Sequence, residues 1–428
     1  MSIKRGPGDH FRAFFKLTRG CTDRFERTRV WGARSVVMWL MVLTMPDRKM
    51  CYRRSLKIVS YYGRRLFDWG KAPALASISK ARLKVPIKTC REILQQVVQR
   101  CESIMPVQKT PWGKRRFIAF DGTRVVLPRS KDTARKMARP KRPDGTKVHN
   151  PQGLMVMAAD VFRRLPLGWS LTGKGVGERT SMQQLVQSLP FEQGDVAVMD
   201  RGFPSRQLFA SLIEKGVDII ARMSASKAVA WKELQPFLSS KAKSATVTLS
   251  LPGNDKPITV RVKVVERDAQ RGRPRKRTKN ERMVIVSTLS EKDGFDRKAL
   301  LKLYAARWGI ESLFKEMKSF MQTEDFHSKT VHGCEQELVA AMIWMALASF
   351  LQSEAERPLD GRRVVRADCL RAASDLLYAI LSGQPISDQI DSDIASLRQF
   401  AYAPKPDRHY PRECKRPFGR TIQRGGAK

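Results

Sequence analysis

Apolar and polar residues alternate with helical periodicity in the first quarter of the chain. Within residues 1–110 the apolar pairs Ile93-Leu94 and Val97-Val98 recur at helical spacing, and stretches typical of strands are sparse. Two longer apolar runs, residues 35–45 and 339–351, are shorter than the roughly 20 residues that a bilayer span requires. We therefore predict a helical N-terminal module and interpret both apolar runs as buried helices.

Strand-like patterns begin after Pro111-Trp112-Gly113. Residues 116–127 predict two short strands joined by an Asp-Gly turn, a dipeptide favoured in tight hairpins. A second hairpin is predicted from two apolar runs, residues 153–161 and 165–172, which are separated by Arg163-Arg164. The first strands of the sheet are therefore expected to be antiparallel.

A strand-helix-strand unit is predicted next. Residues 195–199 form a short apolar run, Ser205 is suited to cap a helix that extends to Lys215, and residues 217–221 are apolar again. A sheet that begins with antiparallel strands and continues with parallel strands has a ribonuclease-H-like arrangement. We therefore predict an α/β fold with a mixed sheet of this type.

The pattern changes again in residues 224–282, where period-two alternation predicts a β-rich insertion. Its basic loop, residues 267–279, either contacts phosphates or is merely solvated, and both interpretations remain open. Residues 283–289 predict a further buried strand, and residues 297–321 a long helix. The tail from Ala403 is rich in Pro, Gly and basic residues, which is typical of disorder.

The charge of the chain indicates its class of partner. The sequence has 81 Lys and Arg residues against 41 Asp and Glu residues, a formal net charge of +40. A chain this basic is expected to bind a polyanion, and nucleic acid fits best because bound phosphates release condensed counterions. A membrane surface and the ribosome are the competing partners.

Cysteine and histidine usage excludes some classes of small domain. The seven cysteines form no C-x-x-C pair and the chain has only five histidines, which argues against zinc fingers and disulfide scaffolds. The odd cysteine count favours a reducing compartment, and residues 1–30 contain no apolar segment of the signal-peptide type. We therefore expect a cytoplasmic protein.

The predicted helix 297–321 has one polar face and one apolar face. Four polar residues fall within roughly 60° of one face at about 100° per residue; they are Tyr304, Arg307, Glu311 and Lys318. The apolar arc would pack on the sheet and contains Leu303, Ile310, Leu313, Phe314, Met317 and Phe320. The alternative is a solvated face with an ordinary Arg-Glu pair at i, i+4. Four such groups on one stripe favour the placement of a phosphate beside a metal ion.

Two aspartates accompany the predicted strands. Asp121 lies in Phe-Ile-Ala-Phe-Asp-Gly-Thr, where the alternative is a residue of the hairpin turn. Asp200 follows the strand Val-Ala-Val-Met, at the edge of an α/β sheet where ligands bind; its alternative, a helix-capping acid, is weakened by Ser205. With Glu311 these acids supply the hard oxygen ligands that Mg²⁺ takes. Two such ions about 3.5 to 4 Å apart could activate a water or a DNA 3′-hydroxyl.

Three motifs together carry a family resemblance: Asp-Gly-Thr at 121–123, Asp-Arg-Gly-Phe at 200–203, and the Tyr-Arg-Glu-Lys pattern from Tyr304 to Lys318. With these motifs the sequence resembles the DDE transposases of bacterial insertion sequences, and it is similar to the "IS-four" family with its YREK signature. The resemblance covers about residues 111–350. It implies a ribonuclease-H-like core with a β-strand insertion before the catalytic glutamate, which is where the predicted insertion lies.

The resemblance implies roles for individual residues. It implies a catalytic triad that binds Mg²⁺, with Mn²⁺ able to substitute and two ions per site, formed by Asp121, Asp200 and Glu311. It implies contacts to DNA phosphates near the transposon end, made by Tyr304, Arg307 and Lys318. In relatives an aromatic residue stacks on a flipped base beside the cleavage site, for which Trp231 and Trp308 are candidates, although a tryptophan is more often a core residue.

The predicted function is cut-and-paste transposition of an insertion sequence, by hydrolysis of DNA at the element ends and 3′-hydroxyl strand transfer into target DNA. The family implies a homodimer that synapses two terminal inverted repeats, in the bacterial cytoplasm and associated with the nucleoid. The alternatives are an inactive DNA-binding relic, an RNA-binding or ribosome-associated protein, and a nuclease without joining activity. The role of Glu178 stays open between a helix N-terminal acid and a group near the metals.

The patterns divide the chain into five segments. They are a helical N-terminal DNA-binding module (1–110), a first part of the catalytic core (111–223), the β-rich insertion (224–282), a second part of the core (283–350), and a helical C-terminal region with a basic disordered tail (351–428).

Overall fold

The structure, a computed structural model, describes residues 6–404 except for 17–30, 47, 49, 63–66, 68, 70, 106–114, 142–143, 227–229, 254–257 and 268–282. Its eight named strands are β1 (Phe117–Val126), β2 (Gln152–Asp160), β3 (Leu165–Thr172), β4 (Val196–Met199), β5 (Asp218–Met223), β6 (Ser244–Leu251), β7 (Ile258–Arg267) and β8 (Met283–Ser287). They form one mixed sheet in the order β3-β2-β1-β4-β5-β8-β7-β6. Most of the predicted basic loop, and the tail beyond residue 404, lie outside the described residues.

The first five strands have the predicted ribonuclease-H-like arrangement. β1 and β3 both pair with β2 in antiparallel fashion, whereas β1, β4 and β5 are parallel neighbours. The crossover from β3 to β4 contains α7 (Glu178–Ser188), and that from β4 to β5 contains α8 (Arg206–Glu214). The predicted cap is confirmed, since the Ser205 hydroxyl accepts from the Leu208 N–H at 3.2 Å. Because β1, β4 and β5 are parallel, their carboxyl ends lie at the same end of the sheet.

The prediction of a turn at Asp121 is wrong. β1 is a single strand that pairs with β2 without interruption, with Asp121 opposite Met157 and Gly122 opposite Val156. A type I′ turn requires positive φ at its central residues, and Gly122 is not among the residues with positive φ. The long partner strand β2 therefore overrides the local turn preference of Asp-Gly.

The β-rich segment after residue 224 continues the same sheet. β6 and β7 form an antiparallel hairpin, β7 pairs with β8, and β8 pairs antiparallel with β5. Exposure alternates along most of β6, in agreement with the period-two pattern of its sequence.

Helices surround the sheet. In the described part of the chain the remaining α-helices are α1 (Pro7–Lys16), α2 (Ala33–Leu43), α3 (Tyr52–Tyr62), α4 (Leu75–Lys84), α5 (Ile87–Ile104), α6 (Lys131–Lys136), α9 (Gln235–Ser239), α10 (Arg297–Ala306), α11 (Trp308–Lys315), α12 (Val331–Glu356), α13 (Arg366–Ser382) and α14 (Ser387–Gln399). α12 packs against α2, α5, α13 and β3. Both predicted buried helices are confirmed, in α2 and α12.

Among the described residues α12 alone is long and apolar enough to cross a membrane, a criterion that core helices also meet. Its most apolar window is 94% buried within the protein, and the Trp344 indole N–H donates to the Met41 carbonyl of α2 at 3.1 Å. These contacts are those of a core helix.

The predicted helix 297–321 is divided at Arg307. α10 ends at Ala306, α11 begins at Trp308, and the segment Glu316–Phe320 is a π-helical turn. At the break the Arg307 N–H donates to the Tyr304 carbonyl at 3.1 Å, which is a tighter turn than that of an α-helix. Just beyond the break, Gly309 packs against Val161 in the β2–β3 turn, where an added Cβ would make a contact of 3.4 Å.

Candidate active site

Three parallel strands, β1, β4 and β5, bring polar side chains to one level. Phe120 pairs with Met199, which in turn pairs with Ala221, so the residues that follow them are level with one another. These residues are Asp121, Asp200 and Arg222. Level residues of parallel neighbours point to the same face, which places two carboxylates and a guanidinium side by side.

Glu311 joins this group through Arg307. Arg307 Nη1 lies 3.2 Å from Asp121 Oδ2, and its Nη2 lies 2.9 Å from Glu311 Oε1. The Arg307 side chain is 6% exposed, whereas those of Asp121 and Glu311 are 21% and 41% exposed. A buried guanidinium at the junction of α10 and α11 therefore links an acid of the sheet to an acid of α11.

Asp200 is held by a different set of donors. Its Oδ1 accepts from the Arg201 N–H at 2.8 Å and from the Tyr304 hydroxyl at 2.9 Å, and it lies 3.6 Å from Arg222 Nη1. Burial alone would raise the pKa of Asp200, but these hydrogen bonds and the nearby arginines hold it below its ordinary value. Asp200 is therefore ionised at neutral pH.

The electrostatics of Asp121 and Tyr304 differ from those of Asp200. Burial raises the pKa of Asp121, and Arg307 and the Gly122 N–H offset this effect only in part. Burial, and then the charge of Asp200, raise the pKa of Tyr304 to about 12. Tyr304 therefore keeps its proton at neutral pH and donates a hydrogen bond.

The remaining predicted site residues are Lys318, Trp308 and Trp231. Lys318 donates to the carbonyl of Arg124, further along β1, and its Nζ lies 3.4 Å from Glu324 Oε1. Trp308, next to Arg307, is 64% exposed. Trp231 is partly buried and lies away from this group, with its ring in an edge contact with Phe209 and Arg206 above it at 4.8 Å.

The acids match a hard divalent cation in donor chemistry but are not arranged as a ligand set here. In the described part of the chain, no group of three or more His, Cys, Asp or Glu side chains lies close enough to hold a metal. Arg307 lies between Asp121 and Glu311 and holds them through its own hydrogen bonds. Within the same residues, Asp200 Oδ2 and Glu311 Oε2 accept no protein hydrogen bond, and carboxylate oxygens of this kind suit Mg²⁺.

The sequence interpretation missed Arg222 and left Glu178 open. Arg222 would have been found by aligning the strands at their carboxyl ends, because it follows β5 residue Ala221 as Asp200 follows Met199. The carboxylate of Glu178, at the first position of α7, lies close to the residue after Asp121 in β1 and to the loop that follows Asp200. A Cβ on Gly122 would be 3.2 Å from its Oε1, and a Cβ on Gly202 would be 3.1 Å from its Oε2.

Residues 112–347 match the model of a family described as "Transposase DDE domain". No curated protein matches the sequence. Among solved structures, the chain is similar to that of a piggyBac transposase in a synaptic complex with hairpin DNA, determined by cryo-EM. The TM-score is 0.46 and the identity 13%, over 94% of this chain and 86% of that chain.

Proposed function

The chain belongs to the transposase DDE domain family and is therefore a metal-dependent DNA transposase; we propose that it is of the IS-four type and that Asp121, Asp200 and Glu311 are its catalytic acids. One observation carries the assignment of these residues. Asp121 and Asp200 are level at neighbouring strands; Arg307, at the junction of α10 and α11, links Asp121 to Glu311, and Tyr304 of α10 donates to Asp200.

The three acids would hold Mg²⁺, with Mn²⁺ as a substitute and two ions per site. Bound there, the ions would supply Lewis-acid stabilisation of the charge that develops on the phosphate. The chain's own contribution is to hold the acids in place. Asp200 is kept ionised by its donors, and in the described part of the chain Asp200 Oδ2 and Glu311 Oε2 have no protein donor and would be available to a cation.

The polar stripe binds the DNA at the element end. Arg307 exchanges its carboxylate partners for a phosphate, to which a guanidinium donates two parallel hydrogen bonds. Tyr304 keeps its proton and donates to a phosphate oxygen or to Asp200, and Lys318 contacts the backbone further along the strand. The exposed ring of Trp308 is available to stack on an unpaired base. Trp231 is less suited to this role, since Phe209 and Arg206 already cover its ring.

The remaining functional proposals rest on the family resemblance and on the charge of +40. The protein acts as a homodimer that synapses the terminal inverted repeats, with the helical segment 1–110 contributing to DNA binding. It works in the bacterial cytoplasm on nucleoid DNA. The excised element is joined to target DNA by the same site that releases it.

The decisive experiment is a cleavage and strand-transfer assay with the full chain, Mg²⁺ or Mn²⁺, and DNA that carries the cognate element's ends. Asp121→Asn, Asp200→Asn and Glu311→Gln should each bind DNA but lose about 10³-fold or more in cleavage. Matched controls are Asp391→Asn and Glu214→Gln, which make the same changes at exposed positions on α14 and α8.

The outcomes separate the remaining alternatives. Cleavage without joining by the wild-type protein would identify a nuclease. Binding without cleavage would identify an inactive relic. Equal cleavage by the three variants and the controls would show that the acids have been assigned wrongly.

A further inference from the structure

A groove with mixed polar and apolar lining lies next to the loop that follows Asp200, on the face of β1 away from α11. It has a volume of about 670 Å³, and its walls come from β1, the loop before α7 and the loop after β4. Side chains of consecutive strand residues point to opposite faces. Asp121 points to Arg307, so Gly122, the neighbouring Glu178 and Arg124 belong to the opposite face, where the groove lies.

The groove is lined by glycine backbone, by Arg124, Arg179 and the acidic Glu178, and by Ala138, Gln152, Leu154 and Val176. Gly173, Gly175 and Gly177 form one wall, and the exposed side chains of Arg124 and Arg179 contribute the positive charge. The Arg179 Nε–H donates to the Gly202 carbonyl at 3.0 Å, which fixes this guanidinium beside the loop that follows β4.

The three positions of this wall differ in whether the fold requires glycine there. Gly173 is required by packing, since a Cβ would lie 2.0 Å from the Lys136 carbonyl oxygen, and Gly175 has a φ of +78°. Gly177 has neither constraint: its φ is −85° and a Cβ there would meet no atom within 4 Å. The fold therefore does not require glycine at 177, whereas a ligand that approaches the backbone closely would.

The surroundings of the groove are strongly basic. The connection between β1 and β2, residues 128–150, contains eight Lys and Arg residues and two Asp residues. It packs on the groove where Gly173 meets Lys136. A surface with exposed glycine backbone and basic surroundings suits a nucleic acid strand and not a small metabolite.

Resting on the proposed function, we infer that this groove binds the target DNA strand during joining. Strand transfer needs two DNA molecules at one set of acids, and the stripe of Tyr304, Arg307 and Lys318 is assigned to the element end. The 3′-hydroxyl oxygen of that end forms a bond to a target phosphorus, and the bond from this phosphorus to the target 3′-oxygen breaks. The attacking hydroxyl loses one proton and the leaving oxygen gains one. In an in-line displacement the two oxygens lie on opposite sides of the phosphorus, which matches DNA approaching from two faces.

The test uses pre-cleaved element ends, a labelled target duplex and the full chain, with cleavage of intact ends assayed in parallel. Arg124→Gln and Arg179→Gln should each cut like the wild type but join about tenfold less. For the complex loaded with element ends, the salt dependence of target binding should fall by about one unit of slope per arginine. Arg371→Gln, at an exposed arginine on α13, is the matched control.

A third variant separates binding from folding. Gly177→Asp places a preferred N-cap residue before α7, so the thermal midpoint should stay the same or rise while joining falls about tenfold through charge repulsion in the groove. Gly6→Asp is its control, because Gly6 precedes α1 and likewise has open space at its Cβ.

Three results would overturn the inference. Unchanged joining by the groove variants would show that target DNA binds elsewhere. A parallel loss of cleavage and joining would assign the groove to the element end. Equal effects of Gly177→Asp and Gly6→Asp would show that the groove is not the cause. A wild-type protein that fails to cut would instead contradict the proposed function itself.

Discussion

Carboxylates pair with arginine in two regions of this protein, and the pairs are built differently. In the helical region Glu337 of α12 faces Arg82 of α4, and each side chain is 4% exposed. Both of its oxygens have protein partners: Oε1 accepts from Arg82 and the Ser328 N–H, and Oε2 accepts from the His327 N–H and lies 3.3 Å from His327 Nδ1. At the catalytic edge the acids are 21% to 41% exposed, and some of their oxygens accept nothing from the described protein.

The difference distinguishes a structural ion pair from an exchangeable one. The buried, hydrogen-bonded pair holds α4, α12 and the segment before α12 in one arrangement. Removing either partner would leave a buried charge without a partner. When the partner of a partly exposed carboxylate leaves, water can solvate the carboxylate, so the free energy of unfolding falls less. Arg307 can therefore give up Asp121 and Glu311 to a cation or a phosphate without unfolding the edge of the sheet.

The largest effect is expected from Glu337→Gln. This change leaves the Arg82 charge buried, and the free energy of unfolding should fall by about 3–5 kcal/mol. Urea unfolding followed by circular dichroism measures it. Asp368→Asn removes a pair whose members are 43% and 48% exposed and should cost less than about 1 kcal/mol. Equal losses in the two variants would contradict the comparison.

Divalent ions should act on the catalytic region alone. Saturating Mg²⁺ should raise the free energy of unfolding by about 1–3 kcal/mol, as expected between ten and a hundred times the dissociation constant. A thermal unfolding series against Mg²⁺ concentration measures the gain. Asp200→Asn should abolish it, and Asp391→Asn should retain it. A wild-type midpoint that does not respond to Mg²⁺ or Mn²⁺ would count against the assigned ligands.

Asp393 tests the cost of a buried oxygen without a partner. Its Oδ2 is buried with no hydrogen bond, and burial, followed by the charge of Asp375, raises the pKa of Asp393 to about 6. The folded pKa lies above the unfolded value, so ionisation destabilises the fold as pH rises through about 4 to 6. The free energy of unfolding of Asp393→Asn should exceed that of the wild type by about 1 kcal/mol at pH 8 and equal it at pH 4. Asp391→Asn, exposed on the same helix, should gain nothing at either pH.

The smallest effect is expected from Asp121→Asn. Burial disfavours the charge of Asp121 and Arg307 offsets this only in part, so the variant should unfold within about 1 kcal/mol of the wild type while it loses cleavage. Differential scanning calorimetry measures the change. A loss as large as that of Glu337→Gln would show that the catalytic pairs are structural after all.

Local sequence patterns predicted most of the elements that frame the site. The β2–β3 hairpin, the Ser205 cap and the buried helices α2 and α12 all follow from periodicity and capping chemistry, which act over a few residues. The same reasoning failed at Asp121, where pairing with β2 outweighs the Asp-Gly turn preference, and at Arg307, where the helix tightens.

The sequence by itself determined which residues could do chemistry: two aspartates after apolar strand residues and a stripe of tyrosine, arginine, glutamate and lysine at helical spacing. Only the tertiary structure decided that Asp121, Asp200 and Arg222 are level, and that Arg307 joins two of the acids. It also decided that Glu178 and the groove lie on the other face of β1. The reason is physical: periodicity and capping are local, whereas strand register and the meeting of distant side chains depend on pairing across the sheet.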